Sequence, residues 1–555
     1  MPAGRSGHDS NDHPAARMSQ HMRATQASGS PEPLRMFRFK AAIVLSVLLL
    51  ASCASTPTSS PSQSSATRSA SPSISATPRP FVTNPATNPA STAVPVPTSA
   101  PSSGVVGWPL TAVSKPTFGP DGTVYLFVGG RDAQNQDQNR LVAVDPAGRM
   151  KPGWPLEKRP GSAFGALAMG PNGSIYVEEC GASSAGCLMH RFDVNGQELP
   201  GWPFKVPTAF ACPVFDYCSS FLVIGSDGTA YLSSWHQTDV QTRIIAIDAV
   251  GKIKVGWPVA APDLYGWFSE PQLSSDGTVF IPTWPAGGDR AANLLAFAPA
   301  GSPRRGWPVS VPVGGGFRPG PAGTVVVWSY EPIADPSNGG LCGDASRTVF
   351  TVLDREARAL PGWPRGSKGF ASSPVVGTDG TVYYLSAQGN LYAHDRAGDV
   401  NTGWPVSVPG AFPGCGGYGP FLGPDGTVYA LGEQVVASSR DGERWRYRPA
   451  GALAGQSCDT DSRNQPAPAL GADGTTYVAT FVHAIGGETV DVVALDRQGH
   501  VKPGWPFRVP IDGRTSDVNS LDVSPDGRLY VSMGACGAGS VSTLLALDPD
   551  GRVSR

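Results

Sequence analysis

The stretch "GTDGTVYYLSAQGNLYAHDRAGDVNTGWP", Gly377 to Pro405, holds most of the unit from which the chain is built. Asp379-Gly380 marks a tight turn, because the Asp side chain bonds nearby backbone and Gly accepts a positive φ. "TVYYL" then reads as a strand and "LYAHD" as its hairpin partner. "RAG" makes a second Gly-containing turn, which delivers a last strand with Gly403-Trp404-Pro405. With the strand that runs into Asp379, the unit has four short antiparallel strands, A to D.

The unit recurs. "GPDGTVYLF" at Gly119 returns as "GPNGSIYVE", "GSDGTAYLS", "SSDGTVFIP", "GPAGTVVVW", "GTDGTVYYL", "GPDGTVYAL", "GADGTTYVA" and "SPDGRLYVS", nine copies 46 to 57 residues apart. Four strands at such a period form one blade of a β-propeller. "GWP" occurs at Gly107, Gly153, Gly201, Gly256, Gly306, Gly362, Gly403 and Gly504, and the first copy closes no preceding unit. The last unit, ending "LLALDPDGRVSR", lacks one. If Gly104 to Leu110 is the outer strand of the ninth blade, the ring closes by pairing the two chain ends and leaves no open sheet edge. The predicted fold is therefore all-β, a single propeller of nine four-stranded blades. Eight blades is the alternative, if the degenerate unit around Ala322 or Arg440 is an insertion.

Composition agrees. Gly (68) and Pro (55) are abundant in the 555 residues, and long stretches of helical period are missing. A net charge of -2 with 15% charged residues offers no electrostatic footprint for nucleic acid.

Ahead of the repeats, "RMFRFKAAIVLSVLLLASC" joins a basic start to an apolar run too short for a comfortable membrane span. With Leu50-Ala51-Ser52-Cys53 it resembles a bacterial lipoprotein signal, which implies cleavage before Cys53 and lipidation of that thiol. Residues 1–52 are then extension and signal, with Met36 as the expected start. Residues 53–104 are the lipidated Cys and a Ser/Thr/Pro/Ala-rich disordered tether, and 105–555 the propeller. The tether spans about 40 Å as a coil and roughly 160 Å in polyproline form.

The "DGTVY" and "LVAVD" strands with a Trp at the blade end resemble the quinoprotein (PQQ-like) repeat family. That family includes quinone-dependent alcohol dehydrogenases and lipoprotein propellers that scaffold outer-membrane assembly. Its dehydrogenases set an adjacent Cys-Cys pair against the quinone, and no two cysteines here are adjacent, so no cofactor is expected. The turns carry at most one Asp before Gly, too few oxygens for the calcium loop of integrin-like repeats. His190, His236, His394, His483 and His500 show no metal-ligand spacing, and no Gly-x-Ser-x-Gly elbow occurs. No catalytic, cofactor or metal residue is assigned.

Trp108, Trp154, Trp202, Trp257, Trp307, Trp363, Trp404 and Trp505 stand at the same place in each blade, which suits inter-blade packing, and Trp445 of "RWRYRP" substitutes in the seventh. The A–B and C–D turns are short and monotonous, whereas B–C loops and D–A crossovers vary, so binding is expected on the variable face. Trp235, Tyr265, Trp267, Phe268, Trp284, Trp328 and Tyr330, joined by Phe215 and Tyr217, form an aromatic sector in blades three to five. Glu270 and Asp289 lie near it in sequence.

Beyond Cys53, eight cysteines in an exported chain predict disulfides. Cys180–Cys187 and Cys212–Cys218 bracket single connections, and Cys415–Cys458 is the preferred pair among the rest, with Cys342 and Cys536 left over. The expected protein is an exported, membrane-anchored monomer that binds a protein or cell-wall glycan without catalysis. A quinoprotein-like or hydrolytic enzyme with its site at the central channel is the alternative.

Overall fold

The computed structural model describes residues 107–554, apart from 113, 130–138, 182–185, 212–217, 237–241, 262–263, 266–269, 286–291, 313–314, 333–345, 412–418, 452, 454–466, 485–486, 510–516 and 535–541. These residues form nine antiparallel sheets in a ring, a nine-bladed β-propeller. Blades 1 to 8 cover 117–156, 162–206, 218–261, 264–311, 316–368, 375–407, 421–447 and 469–509. The units around Ala322 and Arg440 are full blades. In the first, Pro321–Gly323 makes a 3-10 turn with Ala322 at φ 56°; in the second, strands C and D meet in a tight turn at Ser439–Gly442.

Blade 9 takes strands A to C from Asp517–Val523, Leu529–Gly534 and Ser542–Leu547, and its fourth strand from the other end of the chain. That strand is Leu110–Ala112, with Leu110 opposite Leu544 and Ala112 opposite Ser542. Closure thus uses Leu110 with Thr111 and Ala112, so the strand expected over Gly104 to Leu110 shares Leu110 and runs on past it, while 104–106 lie outside the described residues. The same shift holds elsewhere. Gly-Trp-Pro forms the corner before strand D, as where Phe204–Val206 follows Trp202-Pro203 and pairs with strand C. In blade 1, strand D is reduced to a single bridge between Leu156 and Leu141.

The corner joins neighbouring blades. All eight Trp–Pro bonds are cis. The indole Nε1–H of Trp108, Trp154, Trp202, Trp257, Trp307, Trp363, Trp404 and Trp505 donates to a carbonyl in the C–D turn of the following blade, at 3.0 to 3.4 Å. Trp445 supplies the ninth bond, to Arg497 O at 2.9 Å. The preceding Gly is needed because that turn lies against it: at Gly362, with φ 83°, a Cβ would sit 1.7 Å from Ala397 O.

Each indole except Trp363 also meets the aromatic of strand B in its own blade, edge-on or tilted, as Trp108 meets Tyr530 at 5.3 Å between centroids. Blade 5 has Val326 in that place, and Trp363 packs on His394 of blade 6. Aliphatic strand residues fill the remaining space between sheets, giving one core cluster per seam.

Deletion of 104–112 is expected to expose the edge at Ser542–Leu547 and shift the protein towards aggregate in size-exclusion chromatography. Trp108→Ala, which empties a buried site and orphans the Pro146 carbonyl, is expected to cost about 3–5 kcal/mol in chemical denaturation. A wild-type midpoint for Trp108→Ala would refute this account of closure.

Candidate functional site

Antiparallel connection places all A–B and C–D turns at one end of the blades and the strand ends that lead into B–C and D–A connections at the other. The first end is chemically occupied. Asp121 Oδ1 accepts the Thr123 N–H, and Lys151 Nζ bonds Asp121 Oδ2 at 2.9 Å and Thr123 Oγ1 at 2.8 Å. Burial alone raises the Asp121 carboxyl, but these donors outweigh it and hold the group at about 2. Lys254, Arg304, Arg444 and Lys502 repeat the clamp in blades 3, 4, 7 and 8. In the C–D turns Asp145, Asp193, Asp248, Asp354 and Asp496 each accept backbone N–H bonds from two and four residues on.

Blade 2 carries a polar network that no repeat pattern announces. Glu178 and Glu179 are adjacent on strand B (Ile175–Gly181) and face opposite ways, as neighbours on a strand must. Glu179 turns towards blade 1. It accepts the Arg159 N–H at 2.6 Å, Arg159 Nε at 3.1 Å and the Ser162 hydroxyl, and His190 Nε2 lies 3.0 Å from its other oxygen. His190 Nδ1 is 2.7 Å from Glu198. Burial works against both charges, but the donors bring Glu179 down to about 2 and the two carboxylates raise His190. The Ser162 hydroxyl faces Glu179 and, at 2.7 Å, the Arg159 carbonyl, and no bond joins it to His190 among the described residues.

Glu178 turns towards blade 3, where it accepts the Ser220 hydroxyl at 2.5 Å. Its second oxygen is buried with no partner, and burial pushes its carboxyl up. Cys180 and Cys187 are opposite residues of the B–C hairpin, with sulfurs 2.03 Å apart. Glu178 and the two sulfurs lie within 4.8 Å of one another, but with the sulfurs joined there is no thiolate pair for a metal.

The inner strands make a third feature. Strands A touch one another from blade 1 to 3, from blade 4 to 7 and between blades 8 and 9, and line the channel. Between blades 5 and 8 they border an open concavity of about 500 Å³ with Arg318 at one side and Val375, Val376, Phe421, Leu422 and Leu470 among its walls. Arg318 was not singled out by sequence, although it is the only cation at its position in the repeat.

The aromatic sector divides. Trp328 is 7% exposed and packs with Phe350, Trp363 and Tyr384 between blades 5 and 6, so it is core and offers no ring to a partner. Tyr330 is half-buried and stacks on Phe370 at 4.5 Å. Tyr265 and Trp284 stand opposite each other in blade 4 at the loop end of strand B, and Trp235 occupies the corresponding end in blade 3. Glu270 is exposed. Trp267, Phe268, Phe215, Tyr217 and Asp289 lie outside the described residues, as do Cys212, Cys342, Cys415, Cys458 and Cys536. Cys218 opens strand A of blade 3.

No protein-family profile matches the chain, and no curated protein matches it. Among solved structures, BamB from Moraxella catarrhalis is 16% identical, with a TM-score of 0.34 over 69% of this chain and 93% of its own. Streptogramin B lyase is 12% identical, with a TM-score of 0.31 over 60% and 97%. The β-propeller domain of the Trilobed protease from Pyrococcus furiosus is 11% identical, with a TM-score of 0.33 over 71% and 96%.

The Glu179 network has a defined pH window. A carboxyl at about 2 in the fold against an ordinary 4.5 contributes stability above about pH 4.5 and loses it as pH falls towards 2. An imidazole raised above 6.5 contributes below that value and loses its share as pH climbs through its folded pKa. Glu179→Gln is therefore expected to cost on the order of 3 kcal/mol between pH 4.5 and 6.5, with a smaller cost at pH 3 and at pH 9. Urea denaturation of both proteins across pH measures this, and a pH-independent difference would contradict it.

Proposed function

We propose that the protein is an exported, lipid-anchored propeller that binds a protein or glycan partner on its loop face and performs no catalysis. The observation that carries this reading is the contrast between the two ends of the blades. One end spends its carboxylates, ammonium groups and indoles on its own turns. The other holds the sequence variation and the strand ends bearing Trp235, Tyr265 and Trp284. A ring closed through its own termini is a rigid support for such loops.

The Leu50-Ala51-Ser52-Cys53 box and the Ser/Thr/Pro-rich stretch behind it support anchoring through Cys53 with the propeller held off the membrane. The quinoprotein-like repeat fits this role as readily as a redox one, and it brings no Cys-Cys pair. Turnover after reconstitution with a quinone would overturn the binding reading.

Two expected outcomes test it. Cys53→Ser is expected to abolish labelling by a fatty-acid probe and move the protein from the membrane fraction to the soluble one. Trp267→Ala with Trp284→Ala is expected to weaken saturable capture on purified cell-wall glycan or on a surface-protein extract by about thirtyfold, the effect of roughly 2 kcal/mol from anchor rings. The binding reading requires the melting temperature to stay within about 2 °C of wild type. Intact capture with a large loss of stability would make those rings core.

A further inference from the structure

Nine strand-A positions are equivalent by register, each paired with the strand-B residue that meets the indole in most blades: Thr117, Ala168, Val223, Gln272, Arg318, Val375, Phe421, Ala469 and Asp522. Small and apolar residues satisfy this place in most blades, so packing does not call for a cation in blade 5. The one acid of the set, Asp522, belongs to blade 9, four blades away, and accepts the Ser520 hydroxyl.

Arg318 makes no hydrogen bond or ion pair among the described residues. Where this chain uses arginines structurally, it pairs them: Arg508 of strand D in blade 8 bonds both oxygens of Asp491, and Arg159 of the crossover into blade 2 is bonded to Glu179. Arg318 is the exposed residue of its strand, and the walls of the concavity crowd its side chain enough to lower its pKa. No donor of its guanidinium is taken by a described residue, so the fork is available to a ligand in the concavity.

We propose that the channel concavity between blades 5 and 8 binds a small organic anion, a carboxylate on an apolar body, with Arg318 as its counter-ion. The guanidinium fork matches both oxygens of a carboxylate. Val375, Val376, Phe421, Leu422 and Leu470 form an apolar wall that an inorganic anion would leave wet. A volume of about 500 Å³ admits a ligand of one or two fused rings or a short acyl chain. This site lies on the inner strands, so it goes beyond the partner surface proposed for the loops and stands whether or not that surface is real.

The probe is 2-naphthoate, with 2-naphthamide as its neutral counterpart, titrated calorimetrically into the full chain. Saturable binding of one naphthoate per chain is expected, with the amide at least about tenfold weaker because it lacks the charge. Arg318→Gln should lower naphthoate affinity by at least about tenfold while the melting curve stays that of a folded ring. Absence of saturable binding, equal binding of acid and amide, or unchanged affinity in folded Arg318→Gln would each overturn the proposal. The acid–amide comparison uses the wild-type chain and decides the question even if the variant does not fold.

Discussion

A hydrogen bond from one indole to the turn of the next blade, made nine times, is the constraint on which the structure depends. Each bond spans 33 to 52 residues, so each blade is tied to the one that follows it in the chain. A linear array joined in this way would leave one indole without a carbonyl and one turn without an indole. Trp108 and Pro146 remove both defects, because the blade that Trp108 completes is the last and the turn it reaches belongs to the first. The aromatic edge contact in the same blade fixes the plane of the ring, and the Gly before it lets the neighbouring turn come close enough to accept the proton.

That repeated joint explains the unequal chemistry of the two ends of the ring. Turns that must present a carbonyl at a fixed place cannot vary in length, and their aspartates, threonines and lysines are consumed in holding their shape. Connections at the opposite end are free of this requirement. Residues there can change without disturbing the seam, which is why a binding role is best sought there. The inner strands have an intermediate status, since they touch their neighbours yet border the channel, and Arg318 shows that a polar group is tolerated among them.

Blade 2 shows how strongly the surroundings of a sheet face act on like groups. Glu178 and Glu179 are consecutive carboxyls with one bond to a Ser each, yet one is raised and the other brought to about 2. Pleating sends them to different seams. On one side Glu178 meets Ser220 beside the joined sulfurs of Cys180 and Cys187 and finds no cation among the described residues. On the other, Arg159 and His190 converge on Glu179, and Glu198 holds the far side of the imidazole. The second arrangement pins the crossover from blade 1 to the middle of blade 2, where the chain has a reduced strand D to do so.

Sequence by itself determined what is local and periodic. Asp-Gly turns, alternating apolar runs and the recurring Gly-Trp-Pro specify four strands per unit, nine units and a last unit completed by the first segment, because turn chemistry and pleat period act over a few residues. The place of strand D after the Pro, the core position of Trp328, the opposite states of Glu178 and Glu179 and the lack of a partner for Arg318 among the described residues were decided only by tertiary structure. Each of these depends on which side chains a neighbouring blade brings to the seam or channel, often forty or more residues away along the chain. A sheet pattern tells that a residue faces a neighbour, but the identity of that neighbour exists only once the ring has closed.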